Sequence, residues 1–370
     1  MKKVLFVATV TKHINAFHIP CLKWLKEHGY EVHVASNGDE EIEYCDKHYN
    51  LPFERFPLRK NNLKTYKELK KIINENNYDI IHCHTPVGGV LTRLAAKKAR
   101  KKGTRVIYTA HGFHFYKGAP LLNWIIYYPI EKWLSKYTDC LITINQEDYE
   151  IAKKRFKKCI QIKLVHGVGL DTSKFNIKNT ENEIEELRKE IGIERQNIIL
   201  TYVAELNKNK NQILLIKVLE ELIKENDKYR LLLVGEGRLK KILEDYLKKH
   251  NLQCYVKLLG KRDDIPQILK LTNIYVASSL REGLPINLLE AMYMNLPIVA
   301  TDNRGHRELI KNNENGFITN DLKTMKNRIE DIVVNAGALK RINENFMIIE
   351  QRYATDKILE KMKKIYLGEE

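Results

Sequence analysis

IYVASSLREGLPINLLEAMYMNLPIVATD, residues 274–302, reads as strand, turn, helix and strand. Its two ends, "IYVAS" and "PIVATD", are continuous apolar runs without polar alternation, the pattern of parallel strands covered on both faces. Between them Gly283 allows a close backbone approach. Pro285 suits the first turn of a helix, where its missing N–H would have no intrahelical partner in any case. The helix therefore starts with free amides at about residues 284 to 287, and these together with the helix dipole suit a phosphate.

The same alternation runs through the chain. Strand-like segments occur at 4–10, 31–36, 79–84, 105–110, 140–144 and 161–166, separated by helical spacings such as "FHIPCLKWLKEHG" and "LKTYKELKKIINEN". The pattern pauses at "HGVGLDTSKFNIKNTENE", residues 166–183, and restarts at 197–205, 230–235 and 255–260. A chain of 370 residues exceeds the usual single-domain range of ~100–200. The expected fold class is α/β, with two doubly wound Rossmann-like domains facing a central cleft. The expected domains are 1–172 with a returning amphipathic helix at 353–370, and 173–352. Ligands of such sheets bind beyond the carboxyl ends of the strands, so chemistry is sought in those loops.

Composition narrows the functional classes. No run approaches the ~20 uncharged apolar residues that a spanning helix needs. The amino terminus, "MKKVLFVATVTKHINAF", reads as a first strand rather than a leader, because His13 and Asn15 follow at once. A cytoplasmic protein is expected. Six scattered cysteines without a C-x-x-C pair point to reduced, mostly buried thiols and to no structural zinc. The net charge of +16 is concentrated early: residues 1–175 hold 30 Lys and Arg against 17 Asp and Glu. Such a field attracts polyanions, yet no nucleic-acid recognition motif is present. "KKARKKGTR" and the aromatic stretch "PLLNWIIYYPIEKWLSKY", with Trp124, Tyr127, Tyr128 and Trp133, would favour anionic lipid headgroups, each charge contributing on the order of 1 kcal/mol. An interior helix beside solvated lysines is the plainer alternative.

Glu282 and Glu290 flank the Gly-Leu-Pro turn. At ~1.5 Å rise per residue their backbones lie roughly 12 Å apart, beyond the ~5–9.5 Å at which paired carboxylates hydrolyse glycosides. Two separate acceptors fit better, Glu282 for hydroxyls of a donor hexose and Glu290 for those of a ribose. As an isolated pair they would read as a surface carboxylate and a salt bridge.

They are not isolated. The E-x7-E spacing, "TAHGFHFY", "HGVGLDTSKF", "YVAELNKNKNQ" and "NRGHRELI…NGFI" together resemble the retaining glycosyltransferases of family four, which have the GT-B fold, and within them the enzymes of bacterial capsule or exopolysaccharide assembly. The resemblance covers almost the whole chain. It implies a nucleotide-sugar, expected to be a UDP-sugar, held by the second domain through Gly283, Leu284, Pro285, Ile286 and Glu290, and a metal-independent reaction without a cofactor. Lys210 matches the family's lysine against the diphosphate, whereas Glu205 stands where the family has an arginine; Lys208 or Arg281 would then supply the second cation. His111 matches the histidine near the reacting sugar, with His114 as competitor. The early loop, with His13, Ile14 and Asn15, is expected at the acceptor or diphosphate, and Lys261 and Arg262 of "LGKRDDIP" at the nucleobase. "VGEGRL", 234–239, lacks the third glycine of a dinucleotide fingerprint and is rejected as one.

The expected function is transfer of a hexosyl group to a hydroxyl of a glycan or lipid-linked glycan acceptor, by a cytoplasmic enzyme peripheral to the inner face of an anionic membrane. The alternatives are a nucleotide-sugar epimerase of the same fold, which needs no acceptor, and a non-enzymatic polyanion-binding protein.

Overall fold

The computed structural model describes residues 1–57, 59–176, 181–335 and 344–369. Residues 177–180 of the stretch read as a connector, 336–343 of the second expected domain and the last residue of the expected 353–370 helix lie outside the described residues. The chain forms two compact units, Met1–Gly169 with Thr355–Glu370, and Leu170–Ala354.

Among the described residues the first unit holds seven parallel strands: β1 (Lys2–Val10), β2 (Tyr30–Asn37), β3 (Lys47–Asn50), β4 (Ile80–His84), β5 (Arg105–Ala110), β6 (Cys140–Thr143) and β7 (Gln161–Leu164), in the order β3-β2-β1-β4-β5-β6-β7. The two-residue period of a strand sends alternate side chains to opposite faces. Leu5 and Val7 of β1 join Ile81, Val106, Tyr108 and Leu141 in one core cluster. Val4, Phe6 and Ala8 join Val34, Ile107 and Ile142 in another, which the helix Thr355–Leu367 covers with Ile358, Met362, Ile365 and Tyr366. The Tyr366 hydroxyl also meets Nδ1 of His82 at 2.9 Å.

The second unit has six parallel strands among the described residues: β8 (Ile198–Val203), β9 (Tyr229–Val234), β10 (Val256–Gly260), β11 (Ile274–Ala277), β12 (Ile298–Thr301) and β13 (Phe317–Thr319), ordered β10-β9-β8-β11-β12-β13. Leu232, Val234, Ile199, Ile268 and Leu271 pack beneath the helix Glu181–Ile191.

Two strands escape the sequence reading. β3 is a four-residue edge strand, KHYN, without an apolar run; β13 has three residues. The segment expected as a loop after β1 is a helix, Thr11–Phe17. It is anchored by Ile14, which is fully buried, and by Thr11, whose hydroxyl bonds Ser36 Oγ (2.9 Å) and donates to the Gly38 carbonyl (3.1 Å). The cysteines are free but less buried than expected: Cys83 and Cys140 are buried, Cys21, Cys45 and Cys159 half-buried, and Cys254 exposed.

The aromatic stretch forms the helix Leu121–Leu134. Trp124, Tyr127 and Tyr128 pack onto the core, while Leu121, Leu122, Ile125, Ile126, Ile130 and Trp133 are exposed. The helix is tied down by a buried ion pair, Arg93 Nη1 to Glu131 Oε2 at 2.9 Å, with the guanidinium over the Tyr108 ring at 3.9 Å. Removing one partner would strand the other charge in the core, so Arg93 and Glu131 hold this helix by mutual need. Among the described residues, no helix is long and apolar enough to cross a membrane.

Candidate functional site

In a doubly wound sheet the strand order reverses at one place, where the following loops diverge and open a crevice. In the second unit that place lies between β8 and β11. Their loops are sewn together: Ser278 Oγ donates to the Lys210 carbonyl (2.7 Å), the Leu280 amide to the Asn209 carbonyl (2.8 Å), and Asn209 Nδ2 to the Arg281 carbonyl (3.0 Å). Asn211, at φ +52°, turns the chain into the helix Gln212–Ile223. These bonds bring two of the sequence-predicted residues into direct contact: Lys210 Nζ lies 2.5 Å from Glu282 Oε1. Both side chains keep part of their surface in solvent, at 20% and 13%.

Behind Glu282 stands the helix Arg304–Leu309, capped by Asn303, whose side chain accepts from the His306 amide. Arg304 Nε donates to the Glu282 carbonyl (3.2 Å). A Cβ on Gly305 would lie 2.5 Å from the Cβ of Glu282 and 2.9 Å from its carbonyl carbon. Glycine is needed here for close approach, and the residue went unassigned in the sequence although it lies inside the quoted "NRGHRELI". Gly305→Ala is expected to cost about 1–3 kcal/mol in urea unfolding, as overpacked sites do, and to displace Glu282. Unchanged unfolding would show that the loop yields freely.

The helix Ile286–Tyr293 begins one residue later than Pro285, which serves as its cap rather than its first turn. The Pro285 carbonyl accepts from the amides of Leu288 and Leu289, and Asn287 Nδ2 donates to the Val203 carbonyl at the end of β8 (2.7 Å). The amides of Ile286 and Asn287 thus open the helix without intrahelical partners. Leu284 is buried and contributes packing. Glu290, about one turn in, is partly buried, and burial pushes its carboxyl up to about 7, against a smaller opposing influence of Lys174. Lys174 belongs to the "HGVGLDTSKF" stretch, whose Phe175 packs on Tyr293 of the same helix (5.6 Å between rings).

In the first unit the strand order reverses between β1 and β4. His13 comes from the helix after β1, His84 ends β4, and His111 follows β5. His111 Nε2 lies 3.3 Å from His13 Nε2 and 3.4 Å from His84 Nδ1. Burial keeps these imidazoles neutral: it lowers His13 to about 4 and His111 and His84 well below their ordinary value. Thr85, at φ +64°, is a β-branched residue in a left-handed conformation, held by a 2.6 Å contact between its hydroxyl and that of Thr9. The competitor His114 instead stacks on Tyr127 (4.6 Å), and Asn15 Nδ2 donates to the Glu41 carbonyl.

These arrangements have relatives. Residues 183–346 match the family model "Glycosyl transferases group 1", and residues 3–145 match "Glycosyl transferase 4-like". The Bacillus subtilis (strain 168) glycosyltransferase EpsD is 44% identical over 367 residues, covering 99% of this chain and 96% of the relative. The chain belongs to the group 1 glycosyltransferases. An Escherichia coli UDP-Gal:alpha-D-GlcNAc-diphosphoundecaprenol alpha-1,3-galactosyltransferase is 30% identical over 318 residues, 82% of this chain and 79% of that one. The Anabaena protein HepE, solved with UDP-glucose, superposes with a TM-score of 0.79 over the full length of both chains at 19% identity, and places the fold as GT-B.

For the remaining predicted residues of this glycosyltransferase the structure is equally specific. The Arg262 guanidinium is engaged by Asp264 at 2.8 and 2.7 Å and by Glu190 at 2.5 Å, which leaves the backbone of this loop, rather than that side chain, for the nucleobase contact the resemblance implies. Lys261 is exposed, 3.9 Å from Asp263. Glu205 is exposed, and its carbonyl accepts from Gln212 Nε2. The glycines of "VGEGRL" have a packing reason. A Cβ on Gly235 would lie 2.2 Å from the Ala204 carbonyl oxygen, and one on Gly237 2.3 Å from that of Leu206.

Proposed function

We propose that this glycosyltransferase moves a hexosyl group from a UDP-sugar to a hydroxyl of a glycan or lipid-linked glycan in cell-surface polysaccharide synthesis, with retention of configuration and without a metal ion at the diphosphate. The observation that carries the reading is the meeting of Lys210, Glu282 and the opening amides of the helix Ile286–Tyr293 at the switch point of the second sheet. Lys210 meets Glu282 there, and the helix whose opening amides lack intrahelical partners starts four residues after Glu282, so a cation and backbone donors lie on neighbouring loops, as a departing diphosphate requires when side chains and dipoles alone must receive its charge. The donor named for the E. coli enzyme and the UDP-glucose bound to HepE agree with a UDP-sugar donor, and the acceptor of the former with a lipid-diphosphate acceptor.

In this reading Lys210 and the amides of Ile286 and Asn287 receive the diphosphate. Glu282 accepts from sugar hydroxyls and Glu290 from the ribose, with Gly283, Leu284 and Pro285 shaping the turn and the backbone at Lys261 and Arg262 lying at the base. His111 is assigned to the reacting end of the sugar, and the backbone of the Thr11–Phe17 helix near His13 and Ile14 to the acceptor or diphosphate. The bond from the anomeric carbon to the phosphate oxygen breaks, the bond to the acceptor oxygen forms on the same face, and the acceptor proton passes to the leaving phosphate oxygen. No protein nucleophile takes part. Calorimetry is expected to give saturable binding of UDP and none of short oligonucleotides at moderate salt. An epimerase would instead release a new nucleotide or sugar without any acceptor, and that result overturns the transferase reading.

The exposed residues Leu122, Ile125, Ile126 and Ile130, beside Lys97 and Lys136 seated over the rings of Trp133 and Tyr137, favour a peripheral membrane contact at the inner face. The enzyme is expected to float with anionic vesicles at low salt, and Ile126→Glu to stay behind. Equal recovery of both proteins with the vesicles, or of neither, removes the helix Leu121–Leu134 from the account.

A further inference from the structure

We infer that the histidine cluster at the switch point of the first sheet is a binding site for a divalent transition metal, Zn²⁺ above all. Each of His13, His18, His84 and His111 offers a ring nitrogen, and these four atoms lie within 4.8 Å of one another. Two separations are already those of a coordination sphere. The distances from His111 Nε2 to His13 Nε2 and His84 Nδ1, 3.3 and 3.4 Å, match the ~3.3–3.4 Å between neighbouring ligands when four nitrogens sit ~2.0–2.1 Å from a tetrahedral zinc.

Packing alone does not account for the cluster. Nε2 of His18 is buried with no hydrogen-bond partner among the described residues, an arrangement that costs the full desolvation of that group. Its neighbour His82 is a core histidine whose needs are met: Nδ1 pairs with the Tyr366 hydroxyl at 2.9 Å and Nε2 with that of Thr109 at 2.8 Å. His33 is likewise bonded at both nitrogens. The internal bonds of the cluster also conflict. His111 Nε2 faces two other ring nitrogens at once, and in a neutral imidazole it is either donor or acceptor. A cation resolves this, because it takes a lone pair from every ring.

The surroundings have room for an ion. His18, His84 and His111 line a cavity of ≈ 30 Å³. A water needs ~10–15 Å³ by this measure, so the space suits an ion or a water or two. The four ligands come from three chain segments fixed by the sheet: the helices after β1, the end of β4 and the turn after β5. An all-imidazole set suits zinc, copper or nickel, whereas magnesium and calcium prefer oxygen. This site lies in the first unit and shares His111 with the reading above, which places that ring at the reacting end of the sugar; with Nε2 on the ion, the sugar would meet only the rest of the ring, and the diphosphate contacts proposed in the second unit do not pass through the site.

The test uses the full-length protein stripped with a strong chelator. Titration with Co²⁺ is expected to develop the intense visible bands of tetrahedral nitrogen coordination up to one equivalent, and Zn²⁺ to bleach them. His18→Gln and His84→Gln are each expected to weaken binding at least about tenfold, since even residues behind metal ligands contribute that much. His250→Gln, in the other unit, should leave it unchanged. Because the two buried variants are prone to misfold, zinc-edge X-ray absorption of the wild-type protein decides the ligand set directly. Three or four imidazoles support the site. Fewer than three, or no cobalt bands at one equivalent, overturn it, and neither outcome affects UDP binding by the second unit.

Discussion

Lys210→Ala is expected to slow sugar transfer about 10²- to 10³-fold, the usual loss when one donor to a developing oxyanion is removed. UDP affinity should fall less, about ten- to a hundredfold, as for one charge-assisted hydrogen bond. The difference arises because the phosphate gains charge as the glycosidic bond breaks, so the ammonium interacts more strongly with the transition state than with the ground state. In the free enzyme Nζ is held by Glu282 at 2.5 Å, which orients it before the donor arrives. That pair is partly exposed, so its own contribution to stability is small, at most ~1 kcal/mol. The variant should therefore fold normally, with its loss confined to transfer and binding. Glu282→Gln separates the roles further: UDP affinity should hold while transfer falls. Steady-state rates beside calorimetry with UDP read both quantities. Transfer by Lys210→Ala within about threefold of wild type, under ~1 kcal/mol of barrier, would leave the diphosphate without its proposed cation.

The second large effect concerns Glu290. Burial holds its carboxyl up to about 7, from an ordinary 4.5. A ribose donating two hydroxyls favours the ionised form, so the donor binds better once the proton has left. Affinity for an intact UDP-sugar, whose diphosphate does not titrate in this range, is expected to rise about tenfold between pH 6 and pH 8, one unit of protonation at pH 6 being a factor of about ten. Binding near pH 6.5 should release a proton, detectable as a calorimetric heat that depends on the buffer. Stability moves the other way. A group whose folded value is raised contributes stability that is present below about 4.5 and lost as pH rises through about 7. Glu290→Gln removes that loss, so the variant should melt higher than wild type at pH 8, by roughly 2 °C or more, and yet bind the donor weakly with a flat pH profile. A variant that kept the pH dependence would place the titrating group elsewhere.

Glu290 and Lys210 also show how unevenly the site was legible. The carboxylate's place on a helix was evident from its spacing to Pro285, because a helical rise is local and regular. That Lys210 would meet Glu282, 72 residues away, depended on β8 and β11 lying side by side. Arg262 shows the same dependence. Its loop was read from the family resemblance as meeting the nucleobase through its backbone, and that Glu190, from a helix 72 residues earlier, takes its guanidinium was not evident in the sequence.

The alternation of parallel strands and helices, the pause between two units and the family resemblance carried by "SLREGLPINLLEAM" were all legible in the residues, since each rests on periodicity or spacing within one segment. Which charges neutralise one another, why Gly305 must lack a side chain beside Glu282, and that four histidines spread from 13 to 111 converge at one strand switch emerge only on folding. The physical reason is sheet order: hydrogen bonding between β1, β4 and β5, and between β8 and β11, sets neighbours that chain distance does not encode, and burial of those neighbours then fixes their charge.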